Sequence, residues 1–127
     1  MSSITPVILE NADGTFFLAI GGAGGSRIFP SVFQVLLNLD WGLDVREAIE
    51  FGRLHDQLYP LRVDAEDSYP KDILGNLRRR GHNVTGVVLS LFNVMCDDWF
   101  HFLIVGLVPS VVQAIVRKGP FIFGKLL

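Results

Sequence analysis

The 127-residue chain carries one cysteine, Cys96, which excludes an internal disulfide and any cysteine-rich metal site. Its three histidines, His55, His82 and His101, lie far apart with no His-x-x-x-His spacing, so no metal centre is expected. No lysine precedes Lys71, which removes a Walker A loop from the first half. The formal charge is only −2, with acids and bases interspersed, and this argues against nucleic acid as an obligate partner. The N-terminus has neither a basic region nor a leading apolar run, so no signal peptide is expected and the composition does not assign a compartment. Nothing in the composition calls for a cofactor.

What is abundant is apolar residues and glycine. Half of the chain is apolar, enough for one small domain with a core. The distribution is uneven. From Gly86 onward 26 of 42 residues are apolar, and Asp97, Asp98, Arg117, Lys118 and Lys125 are the only formal charges. The densest glycine stretch, Gly21-Gly22-Ala23-Gly24-Gly25-Ser26-Arg27-Ile28, precedes an amphipathic segment. Glycines let backbone N–H groups approach a ligand closely, and a helix start adds the positive end of its dipole. The stretch therefore suits an anion or a developing oxyanion, and it equally suits a tight strand-to-helix turn with no ligand. It does not fit the dinucleotide fingerprint: counted from Gly22 the third glycine falls at Arg27, and counted from Gly21 the second falls at Ala23.

Thr5 to Glu10 and Thr15 to Ile20 read as a hairpin around the turn Asn11-Ala12-Asp13-Gly14, apolar enough to be buried on both faces. Ile28, Val32, Val35, Leu36 and Leu39 fall at helical spacing, with Pro30 tolerated in the first turn. Asp44 and Glu47 form a capping box for a short helix that Gly52 closes. Arg53 to Gln57 is expected as a polar loop before a strand at Leu61 to Asp64. A helix after Ser68-Tyr69-Pro70 ends at Arg78-Arg79-Arg80-Gly81, where basic residues suit a helix C-terminus, and His82-Asn83-Val84 begins another strand. The mixture predicts an α+β or layered α/β fold. Asn83-Val84-Thr85 is a glycosylation sequon.

Residues 1–85 carry an ordered series of motifs. Ser2-Ser3-Ile4-Thr5-Pro6 is similar to a Ser-Ser-Met-Ser/Cys-Pro motif, and Ala23-Gly24-Gly25-Ser26-Arg27-Ile28 to Pro/Ala-Gly-Gly-Ser-Arg-Ile. Gln34 to Asn38, Gly42 to Ile49 and Arg53-Leu54-His55-Asp56-Gln57 continue the series in order. Together they resemble the small subunit of the γ-glutamyltransferase (glutathione hydrolase) family. The resemblance implies a partial N-terminal-nucleophile hydrolase fold, layered αββα. It implies a threonine nucleophile that cleaves γ-glutamyl amides such as glutathione and passes the acyl group to water, an amino acid or a peptide. It maps Ser2 and Ser3 onto the hydroxyls that bind the substrate carboxylate, and Gly24 and Gly25 onto the oxyanion hole. It makes Arg27 a structural ion pair or helix-start contact and His55 a scaffold hydrogen-bonder. Members of the family are typically secreted, membrane-anchored or vacuolar.

The resemblance also has gaps. The nucleophile belongs to a Thr-Thr-His-like segment upstream of the serine pair, and the threonines here are Thr5, Thr15 and Thr85. The expectation is a family fragment that awaits a large subunit and is inactive alone, with a non-catalytic partner- or ligand-binding remnant as the alternative. Residues 86–110 read as an apolar insertion without family match, 111–119 as a family-like strand and 120–127 as a divergent tail, an arrangement that resembles translated intron sequence. The run Val87 to Val108 also raises a third reading, a small membrane-associated protein. Asp97 and Asp98 near its centre oppose that reading, since each costs about 3 kcal/mol in a spanning helix.

Overall fold

The computed structural model describes residues 2–87, 111–118 and 121–126. The apolar run of 88–110, with Cys96 and the membrane reading attached to it, lies outside the described residues. No described helix is long and apolar enough to cross a membrane.

Two sheets form. The first has four strands in the order β1-β2-β6-β7: β1 Val7–Glu10, β2 Phe16–Ala23, β6 Val111–Lys118 and β7 Phe121–Leu126, all antiparallel. The second has β3 Leu54–Gln57 antiparallel to β4 Arg62–Glu66, and β4 parallel to β5 Val84–Val87. Between β2 and β3 run α1 Ile28–Asp40 and α2 Val45–Glu50; α3 Lys71–Arg79 connects β4 to β5. The expected α+β class is what forms.

The main core lies between the first sheet and the α1–α2 pair. Strand alternation sends Leu18 and Ile20 of β2 and Val112, Ala114 and Val116 of β6 to one face. Ile28, Val32 and Val35 of α1 and Ala48 and Ile49 of α2 meet them there. A second cluster, Val63, Ala65, Leu74 and Val84, packs α3 onto the second sheet. Gly22 continues the inward face of β2, where a Cβ would come 2.7 Å from the Val111 carbonyl oxygen.

The hairpin turn forms with Gly14 at φ 78°, and α1 runs as its spacing predicts. The Asp44–Glu47 capping box is complete: each side chain accepts from the other residue's backbone N–H, at 2.8 and 3.1 Å. Gly81 ends α3 with φ 94°.

Four expectations are corrected. The hairpin is not buried on both faces: β1 is an edge strand, and Ile8 is 70% exposed. Gly21, Gly22 and Ala23 are not loop; they pair with Gln113, Val112 and Val111 and lengthen β2. Leu54 to Gln57 is not loop but β3, because β4 satisfies its backbone and the Gln34 amide brackets Leu54, donating to its carbonyl at 2.7 Å and accepting its N–H at 2.8 Å. Gly52 is not a left-handed helix cap, since α2 ends at Phe51 in extended conformation. Gly52 is instead a close approach, where a Cβ would lie 2.4 Å from the Tyr69 backbone nitrogen.

Candidate functional site

The site is built where β2 gives way to α1. Gly24 has φ 137° and Gly25 φ 64°, both in the region that penalises a side chain. A short 3-10 turn, Gly25–Arg27, follows and leads directly into α1. The Gly24 carbonyl accepts from Arg27 N–H at 3.2 Å, closing this turn. A trans peptide sets its N–H opposite its carbonyl, so the Gly25 N–H points away from the turn. The Gly25 carbonyl turns toward the N-terminal segment, where it accepts from both the backbone N–H and the hydroxyl of Ser3, at 3.1 and 2.9 Å. Ser3 Oγ also accepts from Phe29 N–H at 3.4 Å, at the start of α1. The Thr5 hydroxyl donates to the Ser3 carbonyl at 2.8 Å. Ser3 and Gly25, 22 positions apart, are thus brought together. Ser2 is exposed beside them, as is Gly24.

The turn is tied to the second sheet by the two residues that follow the glycines. Arg27 forms an ion pair with Asp64 of β4 at 2.5 Å, the structural ion pair expected of it. Asp64 is nearly buried and also accepts from the Thr85 hydroxyl and pairs with Arg62 Nε, each at 2.9 Å. Burial by itself would raise the Asp64 carboxyl; the Thr85 hydroxyl and the Arg27 and Arg62 charges outweigh it and hold the group below its ordinary value of 3.8. Ser26 donates to Gln57 Oε1 at 3.2 Å, and His55 Nε2 contacts the same oxygen at 3.0 Å. His55 is therefore a hydrogen-bonder within the scaffold, as expected. Behind this layer Arg53 meets Glu66 through both its guanidinium and its backbone N–H, with the closest ion-pair contact at 2.9 Å.

Sequence reasoning missed Ser26, Gln57, Asp64 and Thr85 as members of this network. Gln57 lay inside a recognised motif, but no local pattern distinguishes a polar strand residue aimed at a neighbouring turn from one aimed at solvent.

The arrangement presents a backbone turn with an outward amide, a serine hydroxyl clasped to it, and a charged anchor beneath. A family profile described as Gamma-glutamyltranspeptidase matches residues 1–95. The chain is similar to a glutathione hydrolase proenzyme of Arthroderma benhamiae, 40% identical over 86 residues, which cover 67% of this chain and 15% of that protein. It is also similar to a glutathione hydrolase proenzyme of Escherichia coli, 38% identical over 85 residues, 66% of this chain and 14% of that protein. Among solved structures, a mutant gamma-glutamyltranspeptidase of Helicobacter pylori aligns with 99% of this chain and 60% of its own, at TM-score 0.74 and 27% identity. The enzyme of Pseudomonas nitroreducens complexed with L-DON aligns with 99% of this chain and 57% of its own, at TM-score 0.74 and 28% identity. The chain spans about one seventh of the length of these curated relatives. Matched by its motifs, its family profile and its N-terminal-nucleophile hydrolase fold, this chain belongs to the gamma-glutamyltranspeptidase family.

Proposed function

We propose that this chain supplies half of a γ-glutamyl acyl-transfer site. Ser2 and Ser3 bind the carboxylate of a γ-glutamyl substrate such as glutathione, and the amides of Gly24 and Gly25 stabilise the oxyanion. The partner is a large subunit, and the attacking threonine comes from a family segment outside residues 1–127. Water, an amino acid or a peptide then accepts the acyl group.

The observation that carries this reading is the pair of hydrogen bonds that the Ser3 backbone N–H and hydroxyl donate to the Gly25 carbonyl. It ties Ser3 directly to the Gly24–Gly25 turn, which supports assigning the carboxylate-binding hydroxyl and the oxyanion donors to one site. The Ser3 hydroxyl has a single proton to donate. When a carboxylate arrives, that proton turns to the ligand, and the Ser3 backbone N–H keeps the Gly25 carbonyl satisfied. Each preorganised donor to an oxyanion lowers the barrier by about 3–4 kcal/mol.

The chain's own threonines are engaged elsewhere. Thr5 bonds Ser3, Thr15 bonds Asp13, and Thr85 bonds Asp64. The 127-residue polypeptide alone should therefore release nothing from γ-glutamyl-p-nitroanilide. Supplying the large subunit and the threonine segment in trans should restore release, and Ser3→Ala should then raise KM more than it lowers kcat. Release by the pure polypeptide alone would refute the assignment.

A second reading, a partner-binding remnant without catalysis, is favoured by the apolar tip between β3 and β4. There Leu58 is 88% and Tyr59 84% exposed. Stable association with the large subunit without turnover would select it.

A further inference from the structure

Asn83-Val84-Thr85 is the one Asn-x-Ser/Thr triplet in the chain, and its middle residue is not proline. The fold sets it at the junction of α3 and β5. Helix α3 ends at Arg79, Gly81 follows with φ 94°, and β5 begins at Val84. Six consecutive residues, Arg78 to Asn83, are exposed there. Nothing lies within 4 Å of the position a Cβ would take on Gly81. The junction is therefore open on its outer side.

The three residues of the triplet have different surroundings. Val84 is buried in the cluster of Val63, Ala65 and Leu74. Asn83 is fixed by its backbone, since its carbonyl accepts from Val63 N–H at 2.8 Å. Its side chain is exposed and makes no hydrogen bond among the described residues. Thr85 stands opposite Asp64 in the parallel ladder, and its hydroxyl donates to the Asp64 carboxylate at 2.9 Å. A hydroxyl has one proton to donate. In the folded chain that proton is committed to Asp64, while the Asn83 amide is uncommitted.

This asymmetry sets an order of events. A transferase that reads Asn-x-Thr needs the amide and the hydroxyl together, on a segment of chain free to enter its own site. Once β5 has paired with β4, Val84 is in the core and the Thr85 hydroxyl is spent. The triplet is readable before that pairing. Afterwards Asn83 sits where a bulky, hydrated group meets only solvent.

We propose that Asn83 is an N-glycosylation site, modified before β5 pairs with β4 and carried afterwards in solvent at the α3–β5 junction. The donor is a lipid-pyrophosphate-linked oligosaccharide. Asn83 Nδ2 forms a bond to C1 of the first sugar, the bond from C1 to the pyrophosphate oxygen breaks, and the lipid pyrophosphate leaves with the electron pair. One amide proton passes to the transferase. The site is independent of the γ-glutamyl chemistry proposed above.

The test places the full 127-residue chain behind a cleavable secretory leader and synthesises it with eukaryotic microsomes. The leader-processed chain should gain a single glycan that peptide N-glycosidase removes. Asn83→Gln should lose it. Thr85→Ser should keep it and Thr85→Val should lose it, although Asn83 is intact in both. A leader-processed chain without a glycan, or a glycan retained in Asn83→Gln, overturns the site. The order is tested with solubilised transferase and its lipid-linked donor. Chain diluted into the reaction directly from urea should be modified at least about tenfold faster than chain folded beforehand, which must first open β5. Equal rates overturn the order.

Discussion

Asp64→Asn is the most informative single perturbation. The carboxylate accepts three partners: Arg27 at 2.5 Å, Arg62 at 2.9 Å and the Thr85 hydroxyl at 2.9 Å. Asparagine keeps the shape and an oxygen for Thr85 but removes the charge that both guanidiniums use. Breaking a fully buried pair costs about 3–5 kcal/mol, because an uncompensated charge stays behind. Here the abandoned cations are not fully buried: the Arg27 side chain is 20% exposed and that of Arg62 40%. Water therefore recovers part of the loss, and the expected cost is about 2 kcal/mol at pH 7. In urea, with a slope of about 1–3 kcal/mol per molar for a chain of this size, the midpoint falls by about 1 M. The sign of the pH dependence follows from the lowered carboxyl. A folded pKa below 3.8 gives stability that is present above 3.8 and lost as the pH falls through the folded value. The gap between the unaltered chain and Asp64→Asn should therefore be widest at neutral pH and close below about pH 4. The exposed pair Arg46–Glu50 is the control, and Arg46→Met should cost less than about 0.5 kcal/mol. The reasoning fails if Asp64→Asn costs no more than that control, or if the gap stays constant down to the acid limit of folding.

Two further outcomes follow from local geometry. Gly52→Ala places a Cβ 2.4 Å from the Tyr69 nitrogen and 2.7 Å from the Ser68 carbonyl carbon, all backbone that cannot rotate aside. The variant should lose about 2–3 kcal/mol in urea unfolding, and a loss under 1 kcal/mol would show that the 68–69 segment moves freely. Asp44→Ala removes the acceptor for Glu47 N–H and should cost about 1 kcal/mol, read by the same titration.

Much of this protein was legible without coordinates wherever the cause is local. The Asp44–Glu47 box spans three positions, and its two hydrogen bonds follow from side chains that reach their own backbone. Gly14 and Gly81 take positive φ at a turn and at a helix end, and Arg78 and Arg79 suit the C-terminus of α3. The ordered motifs from Ser2 to Gln57 were enough to indicate the family, because side-chain identity and spacing are properties of the chain alone.

The rest depended on which distant segments meet. Gly21 to Ala23 read as a loop, since nothing nearby announces that Val111 to Gln113 will pair with them. Gly52 read as a cap, since its real constraint is a backbone crossing from Tyr69. The anchor under the glycine turn exists because β4 and β5 pair in parallel with Asp64 opposite Thr85, while the α1 entry delivers Arg27 to the same carboxylate. These partners are 21 and 37 positions away. Caps and turns are settled within about four residues by backbone hydrogen bonding, so the sequence alone determined them. Strand register and ion pairing across sheets are settled by packing, and a shift of one residue in β4 would turn Asp64 to the other face. Only the tertiary structure decided that.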